Sequence, residues 1–273
     1  MRTCKSGKWI FVAALGALFF AGGCGKSGGK KAFSTLADFN GAKIASQAGA
    51  AFPHFIDPVI PNVRHEYINS LPEIIAALSS GKADAAAVDM PIAMRAAAQH
   101  PDLAVFPETV AEDRYGFAVA KGSRLGALGN GVLARLKEDG TLDELKKFWL
   151  SADDGAKKLP TLLHNKDYDG SGGTIMYGCA ISLVPMSYIN STGKPAGFEL
   201  DVVNRMAYEL NMKVRFFPMP FAELLPALLS GKADMVGGSM SMTEERMKSV
   251  DFIGPNFDGG VVLLIKRERL GVK

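Results

Sequence analysis

One segment of this 273-residue chain occurs twice, at a constant offset of 150 residues. The first copy, from Leu71 to Met90, reads LPEIIAALSSGKADAAAVDM, and the second, from Phe221 to Met240, reads FAELLPALLSGKADMVGGSM. Nine of the nineteen positions in 72–90 are identical to those in 222–240, including the whole run SGKAD. A repeated unit of this kind indicates a chain that builds two similar halves.

Each copy predicts a helix, a tight turn and a buried strand. The apolar residues recur at the spacing of one helix face, namely Leu71, Ile74, Ile75 and Leu78 in the first copy and Phe221, Leu224, Leu225 and Leu228 in the second. Gly81 and Gly231 follow, and glycine is the usual residue where a helix ends in a left-handed turn. The small and apolar runs AAAV and MVGG come next and are typical of buried strands. The repeat therefore predicts two α/β lobes built alike.

The second copy ends in a motif that suits an anion. In parallel α/β sheets ligands bind beyond the carboxyl ends of the strands. SMSMTEER follows such an end, with hydroxyls at Ser239 and Ser241 and a good helix N-cap at Thr243. Arg246 lies in the first turn of the expected helix, where its guanidinium and the helix N-terminus could hold a planar carboxylate. The alternative is a surface arginine over a solvated turn.

The first copy places an acid at the matching strand end. Asp89 could pair with a ligand ammonium, or it could only support the start of the helix opened by Pro91. With Arg246 on the other lobe, the two positions predict a cleft that is anionic on one wall and cationic on the other. That arrangement suits a zwitterion, namely a free amino acid.

The N-terminus has the organisation of an export signal. A short basic region ends at Lys8, an apolar run extends from Trp9 to Phe20, and AGGC ends at Cys24. The small residues before Cys24 resemble a bacterial lipobox, which predicts a signal peptide over 1–23, acylation of Cys24 and a tether over 24–35. Ordinary signal cleavage with a chance cysteine is the alternative.

Charge and motifs exclude several classes of function. Three of the 31 basic residues lie in the first 23 positions, which leaves 28 basic against 28 acidic side chains. Nucleic-acid binding normally needs a basic surplus, so no nucleic-acid partner is expected. The sequence has no phosphate-binding loop, no HExxH or GxSxG motif and no paired-cysteine metal spacing. We therefore expect no cofactor, no metal and no catalytic residue.

The chain resembles the amino-acid-binding members of the bacterial extracellular solute-binding proteins, family 3, of ABC transporters. The stretch from Gly197 to Phe252 is similar to the first-lobe core of that family, and LADFNGAKIASQAG, YGFAVAKGS and LKEDGTLDELKKFWL are similar to its second lobe and closing helices. The resemblance implies a type II periplasmic binding fold, with two Rossmann-like α/β lobes joined by a hinge.

The lobes come in an unusual order, because the second lobe precedes the first. A circular permutation is the simplest explanation, and a truncated tandem array is the alternative. The resulting boundaries are a second lobe at 36–122, closing helices of the first lobe at 123–150, a linker at 151–173 and the first-lobe core at 174–273.

The resemblance also implies roles for individual residues. Arg246 matches the residue that binds the ligand carboxylate, Asp89 the one that binds its ammonium, and Phe221 an aromatic that stacks on the ligand. Ser241 and the backbone of Gly238 and Ser239 match hydroxyl and carbonyl contacts. Several positions depart from the family pattern towards small or apolar residues, namely Ala50, Ala51, Ala180, Leu183 and Met186. We include Leu183 and Ala51 in the predicted site, and the departures favour a ligand with a neutral or apolar side chain.

These implications define the expected function. The protein would be a monomeric, lipid-anchored lipoprotein on the periplasmic or cell-surface side that captures an amino acid and delivers it to an ABC transporter permease. One alternative is a sensor that reports ligand occupancy to a membrane partner. Another is a prephenate-type dehydratase on the same scaffold, for which Glu199 or His54 would be the general acid.

Overall fold

A computed structural model describes residues 31–151, 157–158 and 168–271. The strands are β1 (Lys43–Gln47), β2 (Arg64–Ile68), β3 (Ala85–Asp89), β4 (Leu103–Val105), β5 (Ala111–Ala120), β6 (Thr174–Cys179), β7 (Ser182–Leu183), β8 (Ser187–Ile189), β9 (Pro195–Ala196), β10 (Lys213–Pro218), β11 (Met235–Gly237) and β12 (Val250–Lys266). The α-helices are α1 (Phe52–Ile56), α2 (Leu71–Ser79), α3 (Met90–Gln99), α4 (Arg124–Glu138), α5 (Thr141–Leu150), α6 (Phe198–Glu209), α7 (Phe221–Leu229) and α8 (Glu244–Ser249).

Some sequence predictions lie outside the described residues. These are the signal peptide over 1–23, the acylated Cys24, most of the tether over 24–35 and most of the linker over 151–173. Within the described ranges, no helix combines the length and the apolar character that crossing a bilayer requires.

The two copies of the repeat fold as predicted. Helices α2 and α7 each bury one apolar stripe, and each is followed by a glycine in the left-handed region, Gly81 at φ +77° and Gly231 at φ +73°. Strands β3 and β11 then run fully buried. The 3.6-residue period, the glycine and the short apolar run thus suffice to specify this unit.

The main sheet consists of two parallel halves joined by antiparallel strands. Strands β2, β1 and β3 are parallel to one another, as are β10, β6 and β11. Between these halves lie β5 and β12, which pair antiparallel with each other along most of their length. We call the half that contains β1–β4 and α1–α3 the second lobe, and the half that contains β6–β11 and α4–α8 the first lobe.

Strands β5 and β12 form the hinge, because each runs from one lobe into the other. Strand β12 pairs with β5 and continues to pair with β3 and β4 of the second lobe. Strand β5 extends as far as β11 of the first lobe. The register between β5 and β12 shifts between Ile253 and Phe257, an irregularity of the kind that bends a strand.

The chain builds the second lobe first, crosses to the first lobe through β5 and returns through β12. Helix α5 packs against α6, and the fully buried Trp149 donates a hydrogen bond from its indole Nε1 to Asp201 Oδ2 at 2.9 Å. At the far end of the second lobe, the Phe33 amide donates to the Arg269 carbonyl at 2.8 Å, and the Gly271 amide donates to the Phe33 carbonyl at 2.7 Å. The segments around Phe33 and Leu270 are therefore neighbours in space.

Candidate functional site

The two lobes touch along a cleft whose first-lobe wall includes Arg246. Its amide donates to Thr243 Oγ1 at 3.3 Å, so the predicted N-cap places the arginine in the first turn of α8. The side chain is only 9 % exposed. Its Nη1 donates to the Ser241 carbonyl at 2.9 Å, and its Nη2 donates across the cleft to the Gly49 carbonyl at 3.0 Å. Arg246 is thus a buried cation that joins the lobes rather than a surface residue.

Helix α8 itself contributes less than the sequence suggests. It has six residues, and the amide of Arg246 is already used by the Thr243 cap. The Arg246 amide is therefore not free to bind an anion, contrary to the sequence-based prediction for the start of this helix. The guanidinium, and not the helix end, carries the positive character of the wall.

Asp89 lies at the end of β3, where it is also the N-cap residue of α3. It is 6 % exposed, and its Oδ1 has no hydrogen-bond partner. Burial raises the pKa of Asp89 well above its ordinary value, hydrogen bonding with the Tyr115 hydroxyl opposes this, and the charge of Asp113 raises the pKa further. The charge of Arg246 also acts on Asp89, so the two predicted residues share one electrostatic environment.

The two predicted hydroxyl residues, Ser239 and Ser241, are both buried. Ser239 has a left-handed backbone at φ +53°, is 4 % exposed, and has an Oγ without a hydrogen-bond partner. Its amide donates to both carboxylate oxygens of Glu199, each at 3.0 Å. Burial raises the pKa of Glu199 to about 7, against the opposing hydrogen bond from Ser239. Glu199 therefore supports the Ser239 loop from behind.

The other predicted residues lie at different depths of the first lobe and at the cleft edge. The Phe221 ring lies 5.7 Å from the Arg246 guanidinium carbon, in cation–π geometry. Gly238 packs so closely that an added Cβ would lie 3.1 Å from the Ala180 Cβ and 3.6 Å from Leu183 Cδ1. Ala51 caps α1 in the second lobe with its carbonyl bonded to His54. The structure thus brings Ser241 and Phe221 into contact with Arg246, whereas the hydrogen bond of Ala51 is local.

Two cavities lie between the lobes. One is a cavity of about 710 Å³ between α1, the hinge and the loop before α8, lined by His54, Phe55, Glu112, Asp113, Arg114, Met242, Thr243 and Glu244. The other, of about 410 Å³, is lined by Gln47, Asn69, Ser70, Glu73, Ala180, Ile181, Ser182, Pro218, Met219, Pro220 and Phe221. Both cavities are lined by residues of both lobes.

Two cleft residues escaped the sequence analysis. Asp113 belongs to the hinge strand β5, and Gly49 provides the carbonyl that Arg246 reaches. Neither residue belongs to a repeat or to a helix cap, and only the pairing of β5 with β12 reveals where Asp113 lies. In the described part of the chain, no cluster of three or more histidine, cysteine or acidic residues is placed to hold a metal ion.

The sequence of the first lobe matches a known family. Residues 175–271 match the family described as "Bacterial extracellular solute-binding proteins, family 3". The type II periplasmic binding fold predicted from the sequence accordingly describes the two lobes and their crossing strands. The matched range contains Arg246, Ser241 and Phe221, whereas Asp89 lies outside it.

Two curated relatives match a limited part of the chain. A Neisseria gonorrhoeae protein named "Probable histidine-binding protein" is 36% identical over 30% of this chain and 31% of its own length. The L-arginine-binding protein of Pseudomonas aeruginosa is 33% identical over 34% of each chain. The chain thus spans about a third of the length of these relatives, and both are binding proteins by name.

A solved structure gives a similar result. An ancestral arginine-binding protein bound to arginine is 42% identical over 29% of this chain and 35% of its own, with a TM-score of 0.29.

Proposed function

We propose that this protein is an extracytoplasmic solute-binding protein that closes its two lobes on a free amino acid. The observation that carries the proposal is the burial of an arginine and an aspartate on facing walls, Arg246 on the first lobe and Asp89 on the second. A free amino acid offers a carboxylate for the guanidinium and an ammonium for the carboxylate whose Oδ1 lacks a partner. The names of the relatives, which bind histidine or arginine, support the same class of ligand.

Closure of the cleft is the step that the ligand would control. A ligand shifts the equilibrium between open and closed lobes only by the contacts it makes in one of these states and not in the other. Residues on opposite lobes that both contact the ligand satisfy this condition. Arg246 already reaches across the cleft to Gly49, so the same side chain can respond to closure and to the ligand.

Calorimetry of the purified protein with free amino acids tests the proposal. Removal of one partner from a buried, hydrogen-bonded charge pair costs about 2–5 kcal/mol, so Arg246→Ala is expected to weaken binding at least about 30-fold. Arg215→Ala, which removes an exposed arginine from β10 of the same lobe, is the matched control and should bind normally. Unchanged affinity in Arg246→Ala would contradict the proposed site.

The cellular setting is part of the same proposal. We propose acylation of Cys24, a position on the periplasmic or cell-surface side, a monomeric state and delivery of the ligand to an ABC transporter permease. The lipobox-like AGGC and the family's extracellular class support these points.

We further propose that the chain is a circularly permuted family 3 protein. The second lobe precedes the first along the chain, and the segments around Phe33 and Leu270 pair in space. A peptide link between those two segments, with an opening in 151–173, would produce the ordinary lobe order. The domain boundaries given above belong to this proposal.

A further inference from the structure

A second carboxylate lies in the cleft, on the hinge itself. Asp113 pairs with Gly259 of β12, so it lies in the strand pair that connects the lobes. Its side chain is 8 % exposed and lines the cavity of about 710 Å³. Oδ1 accepts a hydrogen bond from the Arg114 amide at 2.7 Å, whereas Oδ2 is buried without a hydrogen-bond partner. A buried carboxylate oxygen without a partner is costly unless something else occupies the site.

Asp113 interacts electrostatically with Tyr115 and Arg246, as Asp89 does. Burial raises the pKa of the Tyr115 hydroxyl, and the charges of Asp89 and Asp113 raise it further. Burial lowers the pKa of Arg246, and the charges of the same two carboxylates oppose this. Burial raises the pKa of Asp113 itself, and hydrogen bonding with the Ser241 side chain opposes this. Two other buried carboxylates are not free for a ligand, because Glu199 has both oxygens bonded to the Ser239 amide and Asp201 accepts hydrogen bonds from Trp149 and Arg205.

The buried charges of the cleft, Arg246, Asp89 and Asp113, then exceed what the main chain of a zwitterion can balance. The main chain of an amino acid supplies one carboxylate, for Arg246, and one ammonium, for one aspartate. The second aspartate would remain buried and uncompensated, which is unfavourable when it is ionised. A positive group on the ligand side chain would restore the balance, and the cavity beside Asp113 offers it room.

We propose that Asp113 is a specificity-determining residue that binds a cationic side-chain group, so that the cleft selects a basic amino acid. The inference rests on the proposed amino-acid binding and refines it. It differs from the sequence-based expectation of a neutral side chain, which considered only Ala50, Ala51, Ala180, Leu183 and Met186 and not the hinge. With a neutral ligand, Asp113 would have to stay protonated.

Pairs of ligands with similar shape and different charge distinguish a cleft that selects a basic amino acid from one that selects a neutral amino acid. L-arginine and L-citrulline have nearly the same shape and differ in side-chain charge, and L-lysine and L-6-hydroxynorleucine form a second such pair. In calorimetry at pH 7.5 the wild-type protein is expected to bind at least one basic ligand about 30-fold or more tightly than its neutral partner. Asp113→Asn is expected to reduce this preference to less than about threefold, mainly through weaker binding of the basic ligand.

Controls make each outcome decisive. Glu138→Gln removes an exposed carboxylate from α4, which lines neither cavity, and should leave the preference unchanged. The wild-type ligand comparison needs no variant, so poor folding of Asp113→Asn would not prevent a result. Equal binding of both members of each pair by the wild-type protein, or an unchanged preference in Asp113→Asn, would overturn the role of Asp113. If neutral ligands bind and Arg246→Ala abolishes their binding, the proposed function stands and only this inference fails, whereas a protein that binds no amino acid contradicts the proposed function.

Discussion

A methyl group added at Gly49 should oppose closure of the cleft more than it opposes folding. Gly49 belongs to the second lobe, and an added Cβ would lie 2.8 Å from the Cα of Ala222 on the first lobe. Ordinary contacts begin at 3.4 Å, so the lobes would have to separate by about 0.6 Å. That movement would lengthen the Arg246–Gly49 hydrogen bond from 3.0 Å to roughly 3.6 Å, beyond hydrogen-bond range.

The expected size of the effect follows from that hydrogen bond. Hydrogen bonds to charged groups contribute about 1.5–3 kcal/mol, so Gly49→Ala is expected to weaken amino-acid binding about 10- to 150-fold. The substitution also places a side chain at φ +80°, which costs about 1–2 kcal/mol of folding stability in any lobe arrangement.

A matched control separates the two effects. Gly81 has nearly the same backbone, at φ +77°, but an added Cβ would meet nothing within 4 Å. Thermal unfolding should therefore show a similar loss of stability in Gly81→Ala and Gly49→Ala, whereas calorimetry should show lost affinity only in Gly49→Ala. Equal affinities in the two variants would refute the reasoning that Gly49 and Ala222 meet on closure.

Three further predictions concern stability, chain order and the anchor. Burial raises the pKa of Glu199 from 4.5 to about 7, so between these pH values the folded protein keeps a proton that the unfolded chain has lost. The free energy of unfolding should therefore fall by roughly 3 kcal/mol as the pH rises from 4.5 to 7. Denaturant titrations should show this slope flattened in Glu199→Gln and kept in the exposed control Glu223→Gln, and equal slopes would contradict it. A rearranged chain that runs from 168–271 through a short link into 33–151 should fold and bind the same ligand in calorimetry, whereas a failure to fold would argue against a simple permutation. Cys24→Ala should move the protein from the membrane fraction to the soluble fraction on cell fractionation, and an unchanged distribution would exclude the anchor.

Local sequence patterns predict the repeated unit well. The apolar period, the closing glycine and the short apolar run are all properties of neighbouring residues, and α2, β3, α7 and β11 follow from them. Arg246 and Asp89 could be nominated because they lie at the ends of these units. Their shared burial in one cleft is a tertiary property that the structure adds.

The residues that were missed depend on long-range pairing. Asp113 gains its position from the register between β5 and β12, which lie more than a hundred residues apart in the chain. Gly49 matters because Ala222 approaches it from the other lobe. No local pattern marks either contact, which is why the charge balance of the cleft could not be predicted from the sequence.

A crystal structure of the protein with its bound amino acid tests the central claim most directly. We expect the ligand carboxylate within hydrogen-bond distance, about 3 Å, of the Arg246 guanidinium and the ligand ammonium within the same distance of the Asp89 carboxylate. The lobes should be closed around it. A ligand bound elsewhere, or one that contacts neither residue, would contradict the account.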